Sequence, residues 1–335
     1  MAPSLAAFQF TYLWFAELLF YVGVFAALAA SLNLVTGYAG MFSLGHHGFF
    51  AVGAYAAAWF TSLFGTVAPG SAEGILVFAG SAVAATAAAY ASGVAIGLPC
   101  LRLRGDYLAI ATLAFAEIVR IVIQNTPALG GSLSMYVQRT LLAPSGKSQI
   151  ETFRTLFVGL AFALLAVAVV VIRNLVRSAH GRAIVSVRED EVASEILGVA
   201  TTRAKLRAFL MGSAFAGLGG WLYAHYKGSI APLDFDLFVG IKILLIVVLG
   251  GLGSISGTVF ASFVLVGLER LLQTGVFGET LKDWMQVEYA LALILLMLLR
   301  PMGIFGNREL TDLLRRGPAP RAARPPEGPA AEVPS

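Results

Sequence analysis

HGRAIVSVREDEVASEILGVATTRAKLR, residues 180–207, forms most of a charged island (173–207) set between long apolar segments. The 335-residue chain as a whole is 58% hydrophobic, and charged residues make up only 13%. Mean hydropathy is +0.81. About 20 apolar residues, each rising about 1.5 Å, cross about 30 Å of hydrocarbon, and several runs here are that long. The island is therefore where the protein meets something in water.

Outward from the island, apolar segments fall at 12–35, 41–64, 74–98, 107–124, 153–172, 208–226, 237–249, 257–271 and 284–299. They predict an all-α polytopic membrane protein with about nine transmembrane segments, eight to ten allowing for the short ones. Segments 237–249 and 257–271 are short and read as tilted or broken helices. No basic n-region or cleavage site opens the chain, so the first run reads as a retained span.

Lysine and arginine set the orientation. Alternation puts Arg102, Arg104, the seven basic residues of the island and the six arginines from Arg300 onward on one side, fifteen in all. Five lie on the other: Arg139, Lys147, Arg154, Lys227 and Lys282. The positive-inside bias predicts a cytoplasmic island, an outer amino terminus and a cytoplasmic carboxyl terminus. Residues 1–306 read as one transmembrane domain, and 307–335, rich in Pro, Ala and Arg, as a disordered cytoplasmic tail.

Other classes are excluded on residue grounds. The pI near 9.3 comes from basic residues spread over short loops, without the basic face and interleaved aromatics of a nucleic-acid binder. Cys100 is the single cysteine, which removes intrachain disulfides and cysteine-based metal sites. No Walker A loop, HExxH or GxSxG occurs, so no enzyme chemistry and no bound cofactor is expected. Uphill transport would draw its energy from an ion gradient or from another chain.

Two stretches interrupt the helical pattern, one beginning at Asn33 and one at Leu249. Each carries Gly-x-x-Gly-x-x-Ser: Gly37, Gly40 and Ser43, then Gly250, Gly253 and Ser256. The alternation places both on the cytoplasmic side, compatible with two parallel structural repeats. Glycines so spaced permit either close helix packing or unwound backbone lining a cavity, which makes these stretches candidates for a hinge or a pathway wall. His46 and His47 point about 100° apart on a helix and have no third ligand at chelating spacing, so they read as polar packing.

Glu117 lies near mid-membrane with Arg120 three residues on, either a functional pair or a neutralised pair that fastens helices together. Lys242 reads as snorkelling to the outer boundary, and Glu269 and Arg270 as reaching the interface at a segment end. These groups do not form the carboxylate and histidine chain of a proton relay, which weakens a stand-alone secondary transporter; a channel, which would move no solute uphill, is the other alternative. Within the island, Val185, Val192, Ile196 and Val199 share a helical stripe, with Arg188, Glu189, Glu191 and Glu195 polar and Gly198 a stop. The acidic run disfavours an anionic lipid surface and favours a groove on a partner protein.

Passages at 31–55 (SLNLVTGYAGMFSLGHHGFFAVGAY), 103–122 (LRGDYLAIATLAFAEIVRIV), 181–199, 201–209 and 250–257 (GGLGSISG) together resemble the permease subunits of branched-chain amino acid ABC importers, of the LivM-like kind. The resemblance implies import of branched-chain or related hydrophobic amino acids across a bacterial inner membrane. The implied partners are a LivH-like sister permease, two ATP-binding subunits that use ATP and Mg, and a periplasmic amino-acid-binding protein. It also likens the island to a coupling loop, with Arg188, Glu191, Ala193, Glu195 and Gly198 as ATPase-coupling residues. Gly37, Gly40, Ser43, Gly250, Gly251, Gly253 and Glu117 are the pathway candidates. Two departures bear on the solute: PALGGSLSM at 127–135 where relatives often read TGG and a small polar stretch, and Thr258 where a proline commonly follows the last glycine. Similar permeases serve urea, short amides and other amino or organic acids.

Overall fold

The computed structural model describes residues 2–273 except 66, 102, 104, 139 and 142–146, together with 287 and 291. The ninth apolar segment apart from 287 and 291, Lys282, the arginines from Arg300 and the tail lie outside the described residues. Along the described chain the order is α1 (Ala2–Asn33), α2 (His46–Ser62), α3 (Ala72–Cys100), α4 (Asp106–Gln124), α5 (Lys147–Arg177), α6 (Ala179–Glu189), α7 (Glu191–Ile196), α8 (Thr201–Lys227), α9 (Leu237–Gly250) and α10 (Ile255–Gln273). Helix is the state such sequence demands, because an apolar segment in hydrocarbon must satisfy its own backbone polar groups. By length and composition, Tyr12–Tyr38, Ala72–Cys100 and Gln149–Arg177 are apolar and long enough to cross a membrane.

Among the described residues helix content is relieved by one small antiparallel pair, β1 (Met135–Tyr136) and β2 (Ser229–Ile230), with Met135 opposite Ile230. The pair ties the α4–α5 connection to the α8–α9 connection, and the Val137 N–H extends it to the Gly228 carbonyl at 3.0 Å. The 127–135 stretch thus ends as an edge of this clasp.

α1 is the central helix: 83% of its apolar window is buried, against 33% for α3 and for α5. It packs on α5, α8, α9 and α10, while α2, α3 and α8 pack on one another. Between α2 and α8 the backbones nearly touch, since a Cβ on Gly53 would stand 2.3 Å from the Gly217 carbonyl oxygen. Small residues at helix crossings are the means by which membrane helices gain packing contact. Buried polar groups cross-link the same layers. Trp221 Nε1 donates to Ser81 Oγ at 2.9 Å, His225 Nε2 lies 3.5 Å from the same Ser81 Oγ, and His46 Nε2 shares a 2.8 Å hydrogen bond with Ser31 Oγ.

Candidate functional site

The first glycine stretch unwinds where α1 ends. After Asn33 the chain widens into a π-helical turn, Leu34–Tyr38, a deviation common at functional positions. Gly40 follows with φ +67°, and 39–45 runs without regular structure to the start of α2. Ser43 is buried there. The second stretch is the tight turn between α9 and α10, where Gly251 and Gly253 take φ +108° and +87°. Gly250 lies so close to the first turn of α10 that a Cβ on it would stand 2.4 Å from the Thr258 nitrogen.

The structure brings these two stretches together. A Cβ on Gly37 would lie 2.3 Å from the Gly253 nitrogen. Asn33, fully buried, joins them: Nδ2 donates to the Ser254 carbonyl at 3.0 Å and to Thr258 Oγ1 at 2.9 Å, and Oδ1 accepts from the Gly253 N–H at 2.9 Å. Asn33 was not among the sequence candidates, although an amide inside an apolar run must find partners. Thr258 is one of those partners.

The island is two helices rather than one. Asp190 leaves helical geometry (φ −154°, ψ 112°) and caps α7, its carboxylate accepting from the Ala193 N–H at 2.9 Å. A capping aspartate satisfies an end-of-helix donor that a continuous helix would not expose. The stripe expected from Val185 to Val199 is accordingly broken. On α6 the buried apolar residues are Ile184 and Val187, whereas Val192 and Ile196 on α7 and Leu197 just after it are 58%, 81% and 83% exposed. α7 ends where Gly198 was expected to stop it. Gly198 has φ +82°, its N–H reaches the Glu195 carbonyl and the Val199 N–H reaches that of Ser194, a Schellman closure.

Arg188 connects the island to the glycine junction. Its Nη1 donates to the Gly37 carbonyl at 2.7 Å, its stem covers Gly40, where a Cβ would stand 2.7 Å from Cγ, and it pairs with Glu189 at 2.9 Å. Glu191 pairs with Lys205 of α8 at 2.7 Å. Ala193, Glu195 and Gly198 are exposed. A pocket of about 290 Å³ between the island and the first junction loop is lined by Gly40, Phe42, Asp106, Arg188, Glu191 and Lys205.

Glu117 stands apart from this junction. Its carboxylate meets Arg120 at 2.8 Å within α4, both side chains part-exposed. Lys242 does not snorkel: it is 12% exposed and bound to Glu269, 13% exposed, at 2.8 Å. Arg270 reaches Glu17 of α1 at 3.2 Å. The hairpin of α9 and α10, folded at the glycine turn, brings these groups level. Among the described residues no three His, Cys, Asp or Glu side chains are grouped to hold a metal ion.

The family described as branched-chain amino acid transport system / permease component matches residues 14–300. The chain belongs to this permease family. It is similar to the high-affinity branched-chain amino acid transport system permease protein LivM of Salmonella typhimurium, 34% identical over 88% of this chain and 71% of that one. LivM of Escherichia coli matches to the same extent. Permease protein LivH of Escherichia coli is 28% identical over 85% of this chain and 92% of its own. No solved structure matches. The permease is thus the non-catalytic transmembrane component of a branched-chain amino acid ABC transport system. In it, Arg188 of α6 is bonded to the unwound backbone after α1, beside the turn between α9 and α10.

Proposed function

We propose that this chain works beside a LivH-like sister permease in a bacterial inner membrane and imports branched-chain amino acids. Two ATP-binding subunits, which use ATP and Mg, and a periplasmic amino-acid-binding protein complete the complex. The permease domain is residues 1–306, with about nine spans, the amino terminus outside, the carboxyl terminus inside and 173–207 as the cytoplasmic coupling loop. α1 with α2 and α9 with α10 form corresponding halves of two parallel repeats, each folded at a Gly-x-x-Gly-x-x-Ser turn. Residues Arg188, Glu191, Ala193, Glu195 and Gly198 couple to the ATPase, and the glycine junction, from Gly37, Gly40 and Ser43 to Gly250, Gly251 and Gly253, bends as the pathway opens.

The observation that carries this reading is the 2.7 Å bond from Arg188 to the Gly37 carbonyl, which links the one large charged island to the unwound helix ends. Three further features support it. α7 offers exposed Val192, Ile196 and Leu197, an anchor set of the kind that fills a partner's groove. α4 presents Ile110, Ile118 and Ile121 beside the part-exposed Glu117–Arg120 pair, and an ion pair at membrane depth is covered by protein rather than lipid. Likeness to both LivM and LivH of one organism suits a chain that pairs with a relative of itself.

Uptake of labelled leucine into proteoliposomes holding the permease, its sister, the ATP-binding subunits and the binding protein tests the proposal. Accumulation is expected only with ATP on the island's side and every subunit present. Accumulation by the permease alone, driven by an ion gradient, would refute it.

A further inference from the structure

A second pocket, of about 240 Å³, lies between α1, α8, α9, α10 and the turn Pro232–Phe235. It is at the other end of the helices from the glycine junction. Lys242 precedes Gly250 by about 12 Å of helix, Tyr21 precedes Asn33 by about 18 Å, and Arg270 follows Ile255 by about 22 Å. The charge alternation that puts the island in the cytoplasm puts this pocket at the outer end.

Its lining mixes two chemistries. Lys242, Arg270, Asp234 and Glu269 contribute two positive and two negative charges, and Tyr21, Phe25, Phe50 and Tyr223 an aromatic wall. The charges are held in place: Lys242 Nζ is 2.8 Å from Glu269 Oε2 and sits 4.1 Å over the Phe25 ring. The Arg270 guanidinium lies 3.8 Å over the Tyr21 ring. Asp234 accepts the Ala231 N–H at 2.8 Å and pairs with Lys227. Buried ion pairs add little stability relative to apolar side chains of like volume, and ionisable groups at membrane depth mark solute paths.

We infer that this pocket binds one zwitterionic amino acid with an apolar side chain, a site that rests on the reading of the chain as an amino-acid permease. The solute carboxylate meets Lys242 and Arg270, its ammonium meets Glu269 and Asp234, and its side chain lies against the aromatic wall. Zero net charge in the lining matches a zwitterion and leaves a simple anion or cation facing one uncompensated like-charge pair. The volume is below that of drug-sized sites and suits a single small solute.

The test is photolabelling of the whole transporter in nanodiscs with a diazirine analogue of leucine, followed by peptide mapping. Label is expected on Tyr21, Phe25, Phe50 or Tyr223, suppressed at least tenfold by excess leucine but not by isopentylamine or isovalerate, each of which lacks one charge. Lys242→Met with Glu269→Met should lose the label at least tenfold, and Lys242→Arg should keep it. Label confined to other residues, equal suppression by isopentylamine, or undiminished labelling of the double variant would overturn the inference. If the wild-type complex shows no ATP-driven leucine uptake, the functional reading itself falls; an uptake-competent complex with an unlabelled pocket overturns this inference alone.

Discussion

Arg188→Met isolates the link between the island and the pathway. Methionine keeps an apolar stem over Gly40 and deletes the guanidinium that donates to the Gly37 carbonyl at 2.7 Å. A hydrogen bond from a charged donor contributes about 1.5–3 kcal/mol. The Arg188 side chain is 26% exposed, so water screens part of this and about 1.5 kcal/mol is the fair figure. If the bond carries coupling, that loss lowers leucine moved per ATP hydrolysed about tenfold. The assay is paired measurement of uptake and phosphate release in proteoliposomes. Arg188→Lys should fall between, because an ammonium still reaches one carbonyl but lacks the fork that also holds Glu189. Glu189→Gln should stay within about twofold of wild type, since exposed ion pairs contribute little. An Arg188→Met transporter with wild-type leucine per ATP would refute the reasoning.

Gly198→Trp and Glu191→Lys should leave the permease inserted and ATP hydrolysis running while uptake falls about tenfold; unchanged uptake in both would show that the island is not the joint. Gly198 has open space around it, so its φ of +82° adds only about 1–2 kcal/mol of local strain to the tryptophan variant. Asn33→Leu leaves the Gly253 N–H without its 2.9 Å acceptor and should destabilise the detergent-solubilised permease by about 1–3 kcal/mol. A double-mutant cycle with Thr258→Val should give a coupling of about 0.6–1.7 kcal/mol, and strict additivity of the two changes in thermal denaturation would contradict the bridge.

Hydrophobic run length was enough to read the helices from α1 to α5 and from α8 to α10, because in hydrocarbon composition nearly dictates helix. The island was legible as a place of contact but not as two helices. Asp190 sits in an acidic run that reads equally well as a polar helix face, and only its bond to the Ala193 N–H shows it as a cap. Gly37 and Gly253 were singled out by spacing, yet their contact depends on Asn33 reaching 221 residues along the chain to Ser254. The same holds for Lys242 and Glu269, 27 residues apart: each alone looks like an interfacial charge, and only the α9–α10 hairpin makes them a pair. Local pattern records what a segment needs, and tertiary contact decides who supplies it.

The central claim, that α7 is the surface through which ATP drives this permease, is tested most directly by placing a benzophenone amino acid at Ile196. That side chain is 81% exposed, and in the assembled transporter it should cross-link to an ATP-binding subunit, with a yield that changes when ATP is added. Cross-linking to lipid or to the sister permease alone, with or without ATP, would contradict the account.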